Sequence, residues 1–196
     1  MKKMIAKGVF FGSFDPIHNG HIEIANYFLK QNLINEVIFM VTPENPLKLE
    51  KDKNSFTERY KLVELGIKGY SKIKSSDIEN KLPKPNYTYY TLEYLKKTSP
   101  EIEYIFLMGS DLLKNFKGWK NYIEILNNHK IFVYPRNNSV IPCEFKSHKN
   151  IKFFKANLIQ ISSTLIRENI KNNLSIKDLV PSAVNNFLTE NNSYID

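Results

Sequence analysis

The chain has 196 residues, 42% of them hydrophobic and 13% aromatic, which excludes a wholly disordered polymer and allows one buried core. No apolar run reaches the roughly 18 residues that span a bilayer, Met1 to Lys7 has no export-type apolar stretch, and a lone Cys143 excludes a disulfide framework or cysteine zinc site, so a soluble cytoplasmic protein is expected. The net charge of +8 is spread over scattered lysines, with only three arginines among 28 basic side chains, so neither a nucleic-acid nor a membrane partner is expected, while small anionic substrates would be attracted.

In chain order, Lys7 to Phe11 is an apolar run ending at Gly12 and predicts a buried strand; Gly20 to Leu29 follows with helical spacing. Glu36 to Val41 predicts a second strand, stopped by Thr42-Pro43. Ser55-Phe56-Thr57-Glu58 is a capping box that starts a helix running to Gly66 or Gly69. Lys72 to Ile78 is a weaker strand candidate, Thr88 to Lys97 a helix, and Tyr104 to Met108 the strongest strand, ending at Gly109. A helix at Tyr122 to Asn127, strands at Lys130 to Tyr134 and Ile151 to Phe154, a helix capped by Ser162-Ser163-Thr164 and a short last helix after Pro181 complete the order.

This alternation predicts an α/β fold with a doubly wound parallel sheet in a single domain over 1–196, with a small helical part from about 162. Such sheets bind ligands beyond the carboxyl ends of their strands. The loops of interest are therefore those after Phe11, Val41, Met108 and Phe154.

The first of these loops reads Gly12-Ser13-Phe14-Asp15-Pro16-Ile17-His18-Asn19-Gly20-His21. Glycines at each end, a turn at Asp15-Pro16 and two histidines at a helix start describe an anion cradle: unpaired helix N–H groups with two added side-chain donors. A metal site is less suited, because the pair lacks further nearby ligands; a capping histidine beside a buried one is the structural alternative. Ser162, Ser163 and Thr164 start another helix, with Arg167 one turn on, able to fork onto phosphate oxygens.

The loop resembles the signature of the nucleotidyltransferase superfamily with the His-x-Gly-His motif. Ile161-Ser162-Ser163-Thr164-Leu165-Ile166-Arg167, about 140 residues later, resembles its second element. Within the superfamily the chain is most similar to the nicotinate-nucleotide adenylyltransferases. This resemblance rests on Thr42 to Lys48, Phe56 to Tyr60, Asn86 to Leu92, Met108 to Asp111 with Phe116 to Trp119, and Lys130 to Arg136.

The resemblance implies adenylyl transfer from ATP, with Mg²⁺, to nicotinate mononucleotide. ATP would be bound by Gly12, Ser13, Phe14, His18, His21, Gly109, Ile161, Ser162, Ser163, Thr164 and Arg167. The mononucleotide would meet Ser13, Asn45, Lys48, Thr88, Asp111 and Trp119; the catalytic positions would be His18, His21, Lys48 and Arg167, and no protein metal ligand is implied. Tyr90, Asn86 and Leu47 depart from the family's usual Asp, Ser and His. The amide mononucleotide and phosphopantetheine stay open as acceptors, and a non-enzymatic phosphate or RNA binder as another class; oligomeric state, a homodimer included, is not legible.

Overall fold

The computed structural model describes residues 5–44, 46, 52–136 and 140–195. Its strands are Ile5–Gly12 (β1), Glu36–Val41 (β2), Ile73–Ser76 (β3), Ile102–Gly109 (β4), Ile131–Tyr134 (β5) and Ile151–Phe153 (β6). All neighbours pair in parallel, in the order β3-β2-β1-β4-β5-β6. The helices are α1 (Asn19–Lys30), α2 (Phe56–Gly66), α3 (Ile78–Lys81), α4 (Thr88–Thr98), α5 (Tyr122–Asn128), α6 (Cys143–Lys146), α7 (Ser163–Lys171) and α8 (Ser182–Glu190), with a 3-10 helix at Ser110–Gly118.

Strand alternation divides the apolar side chains between two faces. Phe10, Ile105, Leu107, Phe132 and Tyr134 face one way and pack with Phe28 of α1, Leu62 and Val63 of α2, Ile166 of α7, and Val184 and Leu188 of α8. Their sequence neighbours Phe106, Met108, Ile131 and Val133 face the other way, against Leu92 of α4, Phe116 of the 3-10 helix, Ile125 of α5 and Phe145 of α6. Both faces are covered, as an all-parallel sheet requires. The C-terminal helices close the first of these cores and form no separate unit.

Three short elements were not expected from the sequence. In the 3-10 helix, Leu113 and Phe116 are buried while Leu112 is exposed. That three-residue spacing matches the 3.0 residues per turn of a 3-10 helix and is too short to register as an amphipathic α-helix. β3 stops at Ser76 because Asp77 opens α3. No helix among the described residues is long and apolar enough to cross a membrane.

The chain winds outward from β1 through β2 to β3, then returns to β4 on the other side of β1 and winds outward through β5 to β6. The connections leaving β1 and β4 therefore diverge, and a crevice opens beyond Gly12 and Gly109. The first sequence motif sits in it.

Candidate active site

The loop from Gly12 to His18 owes its shape to Phe14, which adopts a left-handed backbone (φ 51°), an uncommon and strained state for an aromatic residue. Packing offsets the strain. The Phe14 ring is buried, edge-on to His21 at 4.9 Å, edge-on to Phe10 at 6.1 Å and tilted on Phe39 at 5.1 Å.

Two buried charges fix the loop from beneath. Arg59 of α2, 1% exposed, donates to the main-chain oxygens of Ser13 (2.6 Å), Thr42 (2.9 Å), Pro43 (3.0 Å) and Asn54 (3.3 Å), and pairs with Asp52 at 3.4 Å. The Asp15 carboxylate accepts from the N–H of Lys53 (2.7 Å) and Asn54 (3.2 Å) and from the hydroxyl of Tyr194 (2.7 Å). Burial and the Asp15 charge push the Tyr194 hydroxyl pKa far up, so it stays a donor. The C-terminal tail is thus fastened to the first motif across 179 residues.

Above this base lies a cavity of about 370 Å³. Gly12, Ser13, Phe14 and His21 form its floor. Ser163, Thr164 and Arg167 line it from α7; Thr88 from α4; and Trp119 and Lys120 from the link after the 3-10 helix. Ser13 Oγ and Asn86 Oδ1 are buried here without a hydrogen-bond partner among the described residues. Orphaned polar atoms at a cavity wall are free to bond a ligand or a water.

The two histidines have unequal positions. Their rings stack with centroids 3.7 Å apart and planes 25° apart; His21 reaches the cavity, and His18, 3% exposed, lies behind it. Burial, with the nearby Arg136 charge, lowers the His18 pKa to about 3. Burial, then His18, then Arg136 lower that of His21 as well. Both rings are neutral at pH 7. Because the His18 N–H donates to His21 Nδ1 at 3.3 Å, the neutral His21 ring carries its proton on Nε2. Gly20 keeps room for this stack, since a Cβ there would lie 3.0 Å from His18 Nδ1.

The second motif meets the first directly. Ser163 Oγ donates to the Pro16 oxygen at 2.9 Å, and Arg167 donates to the Asp15 oxygen at 2.7 Å and to Thr164 Oγ1 at 3.3 Å. Ser162 Oγ caps α7 by accepting from the Leu165 N–H, and Ile161 packs half-buried on the core; neither lines the cavity. Asp111 is also elsewhere, in a shallower hollow with Arg136, Ile159 and Gln160. Gly109 makes that position possible, because a Cβ on it would collide with the Asp111 carboxylate. Asn45, Lys48 and Leu47 lie outside the described residues.

Trp119 packs edgewise on Phe116 (5.5 Å) and tilted on Phe106 (5.9 Å), which fixes its ring at the cavity wall. Beside it, α4 begins at Thr88 with no side-chain N-cap and no acidic residue in its first turn, so its N-terminal dipole faces the cavity uncompensated. Asn86 is held there by Glu79, a 1% exposed carboxyl of α3. The Glu79 main-chain oxygen accepts from Asn86 Nδ2 at 2.7 Å, and its Oε1 accepts from Thr91 Oγ1 at 2.6 Å. Burial raises the Glu79 pKa to about 7, against the opposing Thr91 and Thr42 hydroxyls. Of the departures from the family pattern, Asn86 lines the cavity, whereas Tyr90 is half exposed on α4 outside it.

Sequence reasoning did not single out Asp15, Arg59, Lys120 or Tyr194 as site residues. A signal was present for one of them: all three arginines, in a chain otherwise using lysine, converge on the first motif. Buried bidentate work selects for arginine.

A cytidylyltransferase-like family model matches residues 9–169. A relative from Flavobacterium psychrophilum, named probable nicotinate-nucleotide adenylyltransferase, is 45% identical over 95% of this chain and 97% of its own. The chain belongs to this family. A relative of the same name from Bacteroides fragilis is 38% identical over 96% of this chain and 94% of its own. The solved nicotinic acid mononucleotide adenylyltransferase of Plasmodium falciparum, complexed with NaAD, superposes with a TM-score of 0.80 over 97% of both chains at 20% identity, a likeness of fold. The family's signature loop is the one Arg59 and Asp15 hold.

Two predictions follow from these buried groups. Tyr194→Phe removes a buried hydrogen bond to a carboxylate and is expected to lower stability by about 1–3 kcal/mol in urea unfolding; an unchanged midpoint would show the tail to be an idle contact. For His18, the unfolded ring protonates below about 6.5 and the folded ring only near 3, so stability is full above pH 6.5 and falls as pH drops toward 3. Glu79 acts oppositely, favouring the fold below pH 4.5 and losing that advantage as pH rises to about 7. Replacing His18 by Asn should therefore flatten the acid limb of unfolding midpoints between pH 7 and 4; an equally steep limb in the variant contradicts the assignment.

Proposed function

We propose that the protein transfers the adenylyl group of ATP to nicotinate mononucleotide, giving deamido-NAD and pyrophosphate. The observation that carries the acceptor is the pairing of Trp119 with the uncapped start of α4 at Thr88 in one cavity wall. A flat aromatic ring suits stacking on a pyridine, and helix N–H groups suit its carboxylate. Arg167, Ser163 and Thr164 in another wall suit phosphate oxygens, which are the chemistry of ATP.

The 5′-phosphate of the mononucleotide is ionised at neutral pH, so an oxygen of it attacks the α-phosphorus without a protein base or nucleophile. A new P–O bond forms as the bond to the bridging oxygen breaks, and pyrophosphate leaves with that electron pair. The protein's part is placement and charge stabilisation. His21 donates from Nε2 as a neutral group that burial keeps from competing for protons, and His18, stacked behind it, sets its plane. Ser13 Oγ supplies a further buried hydroxyl. Arg167 balances charge on the leaving group, with Lys48 in the same role.

Asp111, Arg136 and the 159–160 main chain would receive the adenosine side or the ribose hydroxyls of the acceptor. Mg²⁺ would enter on phosphate oxygens and water and, when bound, neutralise charge on the departing pyrophosphate.

A coupled pyrophosphate assay with ATP and each of three acceptors tests this. Nicotinate mononucleotide should exceed nicotinamide mononucleotide and phosphopantetheine in kcat/KM, and His21→Ala should lower kcat by about a hundredfold or more at saturating ATP. ATP binding with no pyrophosphate release from any acceptor, or near-normal turnover in His21→Ala, would overturn the reading.

A further inference from the structure

The reaction outlined above makes no use of Lys120. The 3-10 helix ends at Gly118; Trp119 continues in extended backbone, and Asn121, in the left-handed region at φ 54°, turns the chain into α5. Lys120 sits between these two fixed points. Since Phe106 and Phe116 hold the Trp119 ring, the following residue is held with it, and both line the cavity together with Thr88.

The charge of Lys120 is uncommitted within the described residues. Lys117, three residues earlier, is paired with Glu144 at 2.6 Å, and Lys130 with Glu103 at 2.6 Å. No such carboxylate partner occurs for Lys120 among the described residues. Among the described residues the cavity wall contains one carboxylate, Asp15, which is 3% exposed and already accepts from Lys53, Asn54 and Tyr194. The wall holding Trp119 therefore combines a mobile ammonium with the positive end of α4, and no described negative group offsets them.

We propose that Lys120 is a specificity-determining residue, pairing with the pyridine carboxylate and so selecting the acid mononucleotide over the amide. This rests on the acceptor reading given above. The two mononucleotides differ only in that substituent. An ammonium has donors and no acceptor, so it meets a carboxylate in a charge-assisted bond but meets a carboxamide only through a neutral oxygen. Because Lys120 is exposed, its replacement should leave the fold intact.

The test measures kcat/KM for both mononucleotides in wild type, Lys120→Met, Lys120→Arg and Lys117→Met. Lys120→Met should lower the acid-to-amide ratio by about 5- to 10-fold, mainly through KM for the acid, with KM for ATP unchanged. Lys120→Arg should keep most of the ratio, and Lys117→Met, which removes a nearby charge outside the cavity, should leave it at the wild-type value. An unmoved ratio in Lys120→Met, or an equal shift in Lys117→Met, overturns the role of Lys120 while wild-type turnover of the acid still supports the acceptor reading. Wild type that releases no pyrophosphate with the acid overturns that reading itself.

Discussion

A guanidinium with almost no exposure lies beneath the first motif, and the site depends on it. Taking Arg59 out of water carries a desolvation cost of several kcal/mol, which is offset only because four main-chain oxygens and Asp52 surround it. Those oxygens belong to three stretches of two connections: the loop after β1, and the start and the end of the connection from β2 to α2. Satisfying one cation therefore fixes all three relative to one another. Asp15 repeats the device with opposite sign, gathering the 53–54 turn and the C-terminal tail. Loss of either charge would strand the other groups, at a cost of about 3–5 kcal/mol.

This rigidity has an electrostatic consequence. Burial beneath the fixed loop, with the Arg136 charge close by, keeps both histidines unprotonated at neutral pH in the free protein. The positive field that would attract a triphosphate is supplied by arginines, and the histidines contribute direction in place of charge. A neutral donor whose tautomer is set by the His18 N–H has little reorganisation left to make as the reaction proceeds. The same logic explains the low exposure of His18: it backs His21 and keeps that ring's plane.

Much of this was legible in the sequence because the relevant signals are local. Short continuous apolar runs mark the strands, the capping box at Ser55 marks the start of α2, and the glycines and histidines of the first motif mark the anion loop. What escaped notice is long-range. Tyr194 to Asp15 and Arg59 to Ser13 join positions that no periodicity connects, and the 3-10 helix has too short a repeat to read. Spacing also could not separate His21, at the cavity, from His18 behind it. Nor could it show that the Ser162 hydroxyl is engaged in capping α7, or that Asp111 and Trp119 open into different hollows.

With Arg59 and Asp15 satisfied by the chain itself, folding alone assembles the phosphate cradle, before any nucleotide arrives. Amide hydrogen exchange at Asn19, Lys53 and Asn54 reports it most directly, because these N–H groups bond to Leu179, Asp15 and Asp15 respectively. In the nucleotide-free protein all three should exchange slowly, with ATP adding little further protection. Rapid exchange that becomes slow only when ATP is added would contradict the claim and show that the ligand builds its own site.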